Sequence, residues 1–187
     1  GLSLESKHFA SADQTYFNID YEQNGTVLTQ YNNTSFSTYL TFTPNRNVYG
    51  RGVDQKLGRS NFASFSLKYT RGLDGILQGN FSYNQLQFSY KHPIRISFLG
   101  ILESNLELGK TFDPVPIALL TALPANQGYS LIPRTFSLIN YYDWISDNYL
   151  LGHFEHHFNG FIMNKIPLLE KLKLRSLMTF RFAYGSV

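Results

Sequence analysis

The sequence has no cysteine, a single tryptophan and few charged residues for its length of 187. Without cysteine, disulfides and thiol chemistry are excluded. Charged residues make up 16% of the chain, against about 25% in typical soluble domains. The net charge of +3 comes from scattered Lys and Arg, which argues against nucleic-acid binding. The longest apolar run, residues 115–123, is framed by prolines and is far shorter than the ~20 residues of a membrane-spanning helix.

Aromatic residues, by contrast, are abundant. They reach 16% of the chain, with 16 Phe and 13 Tyr. Aromatic residues and Thr suit the pleated, half-buried surface of a strand, so the composition favours an all-β fold. Few charges combined with many Tyr, Asn, Ser and Gln are typical of a barrel with lipid outside and a polar interior. The composition therefore predicts an antiparallel transmembrane β-barrel. A soluble β-sandwich or lipocalin-like barrel is the alternative, because its strands would also alternate apolar and polar residues.

Period-two alternation of apolar and polar residues recurs along the chain, as half-buried strands require. It predicts strands over residues 13–22, 36–43, 63–69, 136–141, 147–158 and 174–184. Asn24 and Gly25 form a hairpin signal between residues 13–22 and a returning strand. Residues 94–109 alternate without a break and predict one strand long enough to cross a bilayer.

Two other segments depart from simple alternation. Within residues 76–92 the apolar positions change from odd, at Phe81 and Tyr83, to even, at Leu86, which predicts a β-bulge near Asn84. Residues 160–173 predict a short irregular or helical turn. We expect residues 1–187 to form one barrel domain that belongs to a larger protein. Because an open sheet edge in lipid leaves backbone groups unpaired, we expect the closing strands to lie outside this chain.

A long ordered string of motifs lies between residues 108 and 175. It comprises Leu108-Gly109-Lys110-Thr111-Phe112, Pro114-Val115-Pro116, Asn126-Gln127-Gly128-Tyr129, Phe136-Ser137-Leu138-Ile139-Asn140-Tyr141-Tyr142, Ser146-Asp147-Asn148-Tyr149, Glu155-His156-His157-Phe158-Asn159-Gly160, Asn164-Lys165-Ile166-Pro167-Leu168-Leu169 and Lys171-Leu172-Lys173-Leu174-Arg175. This string resembles the C-terminal outer-membrane barrel of a Bacteroidetes family of unknown function. In that family, a carboxypeptidase-regulatory-like domain precedes the barrel. Over residues 1–107 the similarity lies only in the general character of the sequence and not in particular motifs.

The resemblance also implies a more distant relation to the surface-antigen-type barrels that insert proteins or lipids into the outer membrane. Glu155 to Phe158, followed by Ile166-Pro167, is compatible with the strand pattern of those barrels. The Arg-Gly-aromatic loop motif of an assembly factor is not matched, because Arg51-Gly52 is followed by Val53. The resemblance therefore implies a bacterial outer-membrane location, with outer-membrane lipid and other envelope proteins as partners.

One strand face carries three side chains of the types that bind metal ions. His153, Glu155 and His157 alternate along it, and adjacent members lie about 7 Å apart at Cα, near the reach of a shared metal. A flat strand rarely supplies three ligands, so we interpret the row as a polar face of the barrel interior and expect no cofactor. No nucleophile elbow surrounds Ser146, and we expect no enzymatic activity.

The basic residues concentrate near the C-terminal end, in a cluster of Lys165, Lys171, Lys173, Arg175 and Arg181. Lys165, Lys171, Lys173 and Arg175 are candidates for contacts with lipid phosphate at a bilayer interface, and they could equally balance Glu155 and Glu170 inside the barrel. Three functions stay open on the sequence alone. They are a non-enzymatic structural or accessory barrel of an envelope complex, an assembly or translocation barrel, and a soluble β-barrel that binds a small apolar ligand.

Overall fold

A computed structural model describes residues 1–10, 20–23, 25–45, 48–50, 56–57, 62–126, 128, 132, 134–137, 139–140 and 143–186. The strands are β1 (Leu2–Ala10), β2 (Tyr21–Gln23), β3 (Thr26–Leu28), β4 (Gln30–Phe42), β5 (Val48–Tyr49), β6 (Lys56–Leu57), β7 (Ser64–Gly72), β8 (Asn84–Ile96), β9 (Gly100–Thr111), β10 (Thr121–Ala122), β11 (Ile145–Ser146), β12 (Asn148–His157) and β13 (Leu177–Ser186). In the described part of the chain, helical structure comprises α1 (Pro167–Glu170) and the 3-10 turns Ser97–Leu99, Ile117–Leu119 and Met163–Lys165. None of the helices in the described part of the chain has the length and apolarity that a transmembrane helix needs.

The long strands form one antiparallel sheet of seven strands in the order β1-β4-β7-β8-β9-β12-β13. Each long strand pairs with the next long strand along the chain, as in a meander. The prediction of an all-β antiparallel fold is confirmed. β1 and β13 are the edges of this sheet, and within the described residues each pairs on one side only. The described strands therefore form an open sheet and not a closed barrel.

The two faces of this sheet differ sharply in chemistry. Following the register, Leu40 lies opposite Leu67, and Leu67 lies opposite Phe88. On the same face Leu108 lies opposite Leu150, which lies opposite Tyr184. We call this the apolar face. It is exposed: Leu40 and Phe42 near one edge and Met178 near the other keep 63%, 66% and 63% of their surface accessible.

The opposite face, here called the polar face, carries Ser, Thr, Asn, Gln and charged side chains. Neighbouring hydroxyls pair across strands, as Ser37 does with Thr70 at 2.8 Å. At one end this face is covered by the described part of the 112–147 connection. Val115 packs there against Tyr31, Phe81 and Tyr83. The core of the fold thus lies between the polar face and its own connection.

A second cluster extends this cover towards β13. Leu123 of the connection packs on Tyr149 and Leu151 of β12, with Phe136 and Ile139 alongside. The Tyr149 hydroxyl donates to Glu107 Oε1 at 3.0 Å and accepts from Gln87 Nε2 at 2.9 Å. These bonds join β8, β9 and β12 beneath the connection. The covered end is therefore fixed both by apolar packing and by the hydrogen bonds of the Tyr149 hydroxyl.

The prediction of one long strand over residues 94–109 is wrong. The segment is a hairpin, in which β8 ends at Ile96 and β9 begins at Gly100 after the turn Ser97–Leu99. Ile94 pairs with Leu102, and Ile96 pairs with Gly100. Paired residues face the same side of a sheet, and these four all have even numbers. The even positions of both strands therefore share one face, and the alternation of apolar and polar residues continues through the turn unbroken.

The β-bulge predicted near Asn84 is also absent. Pairing between β7 and β8 keeps one register from Ser64↔Lys91 to Arg71↔Asn84, and Gly72 N–H donates to the Tyr83 carbonyl one step further on. The apolar residues change face while the backbone does not slip. Phe81 and Tyr83 are buried under the connection, whereas Leu86 belongs to the exposed apolar face.

The remaining predicted elements have mixed outcomes. The hairpin at Asn24-Gly25 is confirmed by the pairing of β2 with β3 and by the left-handed backbone of Gly25, at φ 78°; Asn24 itself and most of the predicted strand 13–22 lie outside the described residues. Over 136–141 the described residues make a single bridge, Phe136 to Ala125, and no strand. The short helical turn predicted for 160–173 is confirmed, and β1 was not predicted.

Candidate binding cavity on the polar face

A cavity of about 530 Å³ opens on the polar face beyond the edge of the covering connection. Its floor is formed by β8, β9, β12 and β13. Lys91, Asn105, His153 and Arg181 are successive partners across these four strands. They form one row, about 14 Å long at the usual spacing between strands. Arg134, from the connection, lines the same cavity.

Charge in the cavity is unbalanced. Lys91, Arg95, Arg134 and Arg181 supply four cations, whereas Glu103 and Glu155 supply two carboxylates. Glu155 is already engaged, because its Oε1 lies 2.8 Å from His157 Nε2. The cavity therefore has an excess of positive charge, which favours anions.

His153 is the buried member of the row. Only 8% of its surface is exposed, and its ring lies against Phe136, with 5.2 Å between ring centroids. Neither ring nitrogen makes a hydrogen bond of good geometry with the described residues, although the Arg134 backbone approaches the ring. The same holds for the buried Oδ1 of Asn105. Unpaired polar atoms at such depth are uncommon in native proteins.

Arg181 and Arg134 are held in different ways. Arg181 Nη1 donates to the Thr135 carbonyl at 2.6 Å, which fixes its guanidinium beside the connection. Arg134 has a left-handed backbone, at φ 66°, a conformation that is uncommon for a non-glycine residue and often marks a functional constraint. The connection thus contributes Arg134 to the cavity wall and holds the Arg181 guanidinium at the same wall through Thr135.

The predicted row His153, Glu155 and His157 lies on the polar face, as expected from its alternation. The three side chains do not converge: Glu155 pairs with His157, and His153 packs on Phe136. Among the described residues no three His, Cys, Asp or Glu side chains are grouped to hold a metal ion. The row contributes His153 and Glu155 to the cavity.

The predicted lipid-contact residues lie elsewhere, in the β12–β13 connection. All four, Lys165, Lys171, Lys173 and Arg175, are exposed and lie outside the cavity. Lys165 Nζ lies 4.1 Å from the centre of the Phe161 ring, and that ring packs on Phe98 at 5.3 Å. Glu155 and these basic residues form no ion pair within the described part of the chain.

Sequence reasoning missed Lys91, Asn105 and Arg134 as cavity residues. The first two are visible as polar positions of alternating strands, but their alignment depends on the register of four strands. Arg134 gives no signal, because it reaches the cavity from an irregular connection. Arg181 was noticed only as part of a basic cluster near the C-terminal end.

A family model described as "Family of unknown function (DUF5686) C-terminal domain" matches residues 4–186. The chain belongs to this family. The match extends across β1 to β13, well beyond the motif string of residues 108–175 in which the resemblance was strongest. None of the curated proteins and none of the solved structures matches the chain. Because the DUF5686 C-terminal family is described as one of unknown function, membership in it does not assign an activity to the chain.

Proposed function

We propose that this DUF5686 C-terminal domain is a bacterial outer-membrane β-barrel domain that acts, without enzymatic chemistry, as a structural or accessory subunit of the envelope. The observation that carries the proposal is the exposed apolar face, which lies opposite a polar face that the protein's own connection covers at one end. A soluble sheet buries its apolar face, whereas a membrane barrel turns that face to lipid.

The dimensions of the apolar face support the proposal. Along β8 it extends from Leu86 to Ile96, about 34 Å at the usual rise per residue. Tilted by about 45°, this length spans roughly 24 Å, close to the apolar band of outer-membrane barrels. Near one end of the band Lys110 Nζ lies 5.7 Å from the Phe112 ring centre, a pairing suited to a headgroup region.

The sheet edges bear on how such a barrel closes. In lipid, the free backbone groups of β1 and β13 need partners, because each unpaired group costs several kcal/mol. Either these two edges pair with each other or further strands lie between them. In both cases we propose that this domain supplies at least seven consecutive strands of the barrel wall.

Heat-modifiable migration tests the membrane proposal. We expect the protein to need detergent for extraction, and the unboiled sample to migrate differently from the boiled one on a detergent gel. A folded barrel keeps its hydrogen-bonded wall in mild detergent, whereas boiling unfolds it. A protein that dissolves in plain buffer and migrates identically with and without boiling would contradict the proposal and favour a soluble β-fold.

We also propose that the basic residues of the β12–β13 connection contact lipid phosphate. Phe98, Ile166, Leu172 and Leu174 are exposed beside them, as at a bilayer interface. Basic residues near an anionic surface contribute about 1 kcal/mol each. We expect the double variant Lys171→Glu, Lys173→Glu to lower the preference for phosphatidylglycerol over phosphatidylcholine vesicles by about tenfold or more.

The matched control is Lys7→Glu, Lys68→Glu, which reverses two charges on strands β1 and β7, away from this connection. Vesicle insertion at the two lipid compositions gives the preference directly. Equal losses in the two double variants would show a general charge effect and would contradict specific contacts through Lys171 and Lys173.

A further inference from the structure

We propose that the cavity on the polar face binds a phosphate monoester group, carried by a small hydroxylated molecule. This proposal concerns the polar face alone, and it goes beyond the membrane function. The volume of about 530 Å³ greatly exceeds that of a few waters and falls within the range of small-molecule sites.

The cations of the cavity supply the kinds of donor that phosphate recognition uses. Arg guanidinium groups present forked donors that match phosphate oxygens, and Lys supplies a point charge. Among the described residues, the Thr135 carbonyl accepts a hydrogen bond from one nitrogen of Arg181, and a guanidinium carries further donors that can serve a ligand. Lys91 has no carboxylate within 4.0 Å among the described residues, and it lies at the opposite end of the row from Arg181.

Buried polar atoms favour a built site over a solvated patch of charge. His153 is more than nine-tenths buried and lines the cavity, and its ring nitrogens make no hydrogen bond of good geometry with the described residues. A phosphate oxygen would accept a hydrogen bond from its ring N–H. The Oδ1 of Asn105 is an acceptor without a donor, which a ligand hydroxyl would satisfy. Leaving such buried groups without a partner is unfavourable, and a ligand that pairs with them removes this cost.

The two carboxylates explain why a bare anion is the poorer fit. Glu103 lines the cavity beside Asn105 and repels an ion placed close to it. A hydroxyl group donates a hydrogen bond to a carboxylate. A ligand with a phosphate at one end and hydroxyls at the other can therefore pair with both the cations and the carboxylates of the cavity. Phosphorylated sugars have this chemistry, and the phosphate of a lipid headgroup shares its anionic part.

Calorimetry on the detergent-solubilised full chain tests the proposal, with glucose-6-phosphate, glucose, inorganic phosphate and dihexanoyl phosphatidic acid as probes. We expect glucose-6-phosphate to bind at least about tenfold more tightly than glucose or inorganic phosphate. Tighter binding of the phosphatidic acid than of the sugar phosphate would assign the phosphate group to a lipid and would overturn the soluble form of the proposal.

Arg134→Gln is the decisive variant, because Arg134 is exposed and belongs to the connection rather than to the sheet. We expect it to weaken glucose-6-phosphate binding about tenfold with an unchanged unfolding transition. Lys68→Gln, on the polar face outside the cavity, is the matched control and should bind as the parent does. No detectable binding of either phosphate monoester, or equal affinity of Arg134→Gln and the parent, would overturn the proposal.

Discussion

Arginine in place of Leu67 is expected to destabilise the protein in a lipid bilayer by about 2–4 kcal/mol. Leu67 lies in the middle of the apolar face, between Leu40 and Phe88, and 37% of it is exposed. If this face contacts lipid, the guanidinium must be carried to the hydrocarbon centre, where water cannot solvate it. Urea unfolding in vesicles measures the loss of free energy.

Ser66→Arg is the matched control, since it introduces the same side chain at the next position along β7. Ser66 faces the polar side, and among the described residues its hydroxyl makes a single contact, with Thr41 at 3.3 Å. We expect this variant to stay within about 0.5 kcal/mol of the parent. If the two variants lose equal stability, or if Leu67→Arg gains solubility without detergent, the apolar face does not meet lipid.

Gly100→Ala is expected to cost more than about 3 kcal/mol, because two separate obstacles meet at this turn. The backbone of Gly100 has φ 107° and ψ −139°, a region that is essentially reserved for glycine. A Cβ atom would also lie 1.9 Å from the His157 carbonyl oxygen of β12. Since that oxygen belongs to a paired strand, the obstacle cannot rotate away, and the β8–β9 turn must distort.

Gly75→Ala separates the two contributions. Gly75 also has a left-handed backbone, at φ 73°, but no atom lies within 4 Å of the added Cβ. It should therefore lose only about 1–2 kcal/mol. Urea unfolding in detergent micelles compares both variants with the parent. If Gly100→Ala unfolds at the same urea concentration as Gly75→Ala, the close approach to His157 does not contribute.

The fold class was predictable from alternation, but strand boundaries were not. Residues 94–109 show why, since a hairpin whose partners all have even numbers leaves the pattern intact. The turn itself is marked only by Gly100, which alternation treats as a small residue of the apolar face. The apparent slip near Asn84 has the opposite cause: the pattern changes because a connection covers Phe81 and Tyr83, while the register stays constant.

The cavity was less accessible to sequence reasoning than the fold. The row His153, Glu155 and His157 was correctly placed on a polar face, because alternation alone decides that. Its partners on other strands, Asn105 and Arg181, depend on long-range register, which no local pattern encodes. Arg134 depends on an irregular connection, whose path follows from packing on Tyr149 and Leu151 rather than from any periodicity.

The covering connection has a consequence for permeation if the domain spans a membrane. Clusters around Phe81 and around Leu123 occupy one end of the polar face, so water and ions meet packed side chains there instead of a through-going pore. The cavity would then lie to one side of these packed clusters. Such a position suits capture and release of a solute on one side of the bilayer, and we expect low electrical conductance instead of porin-like flux.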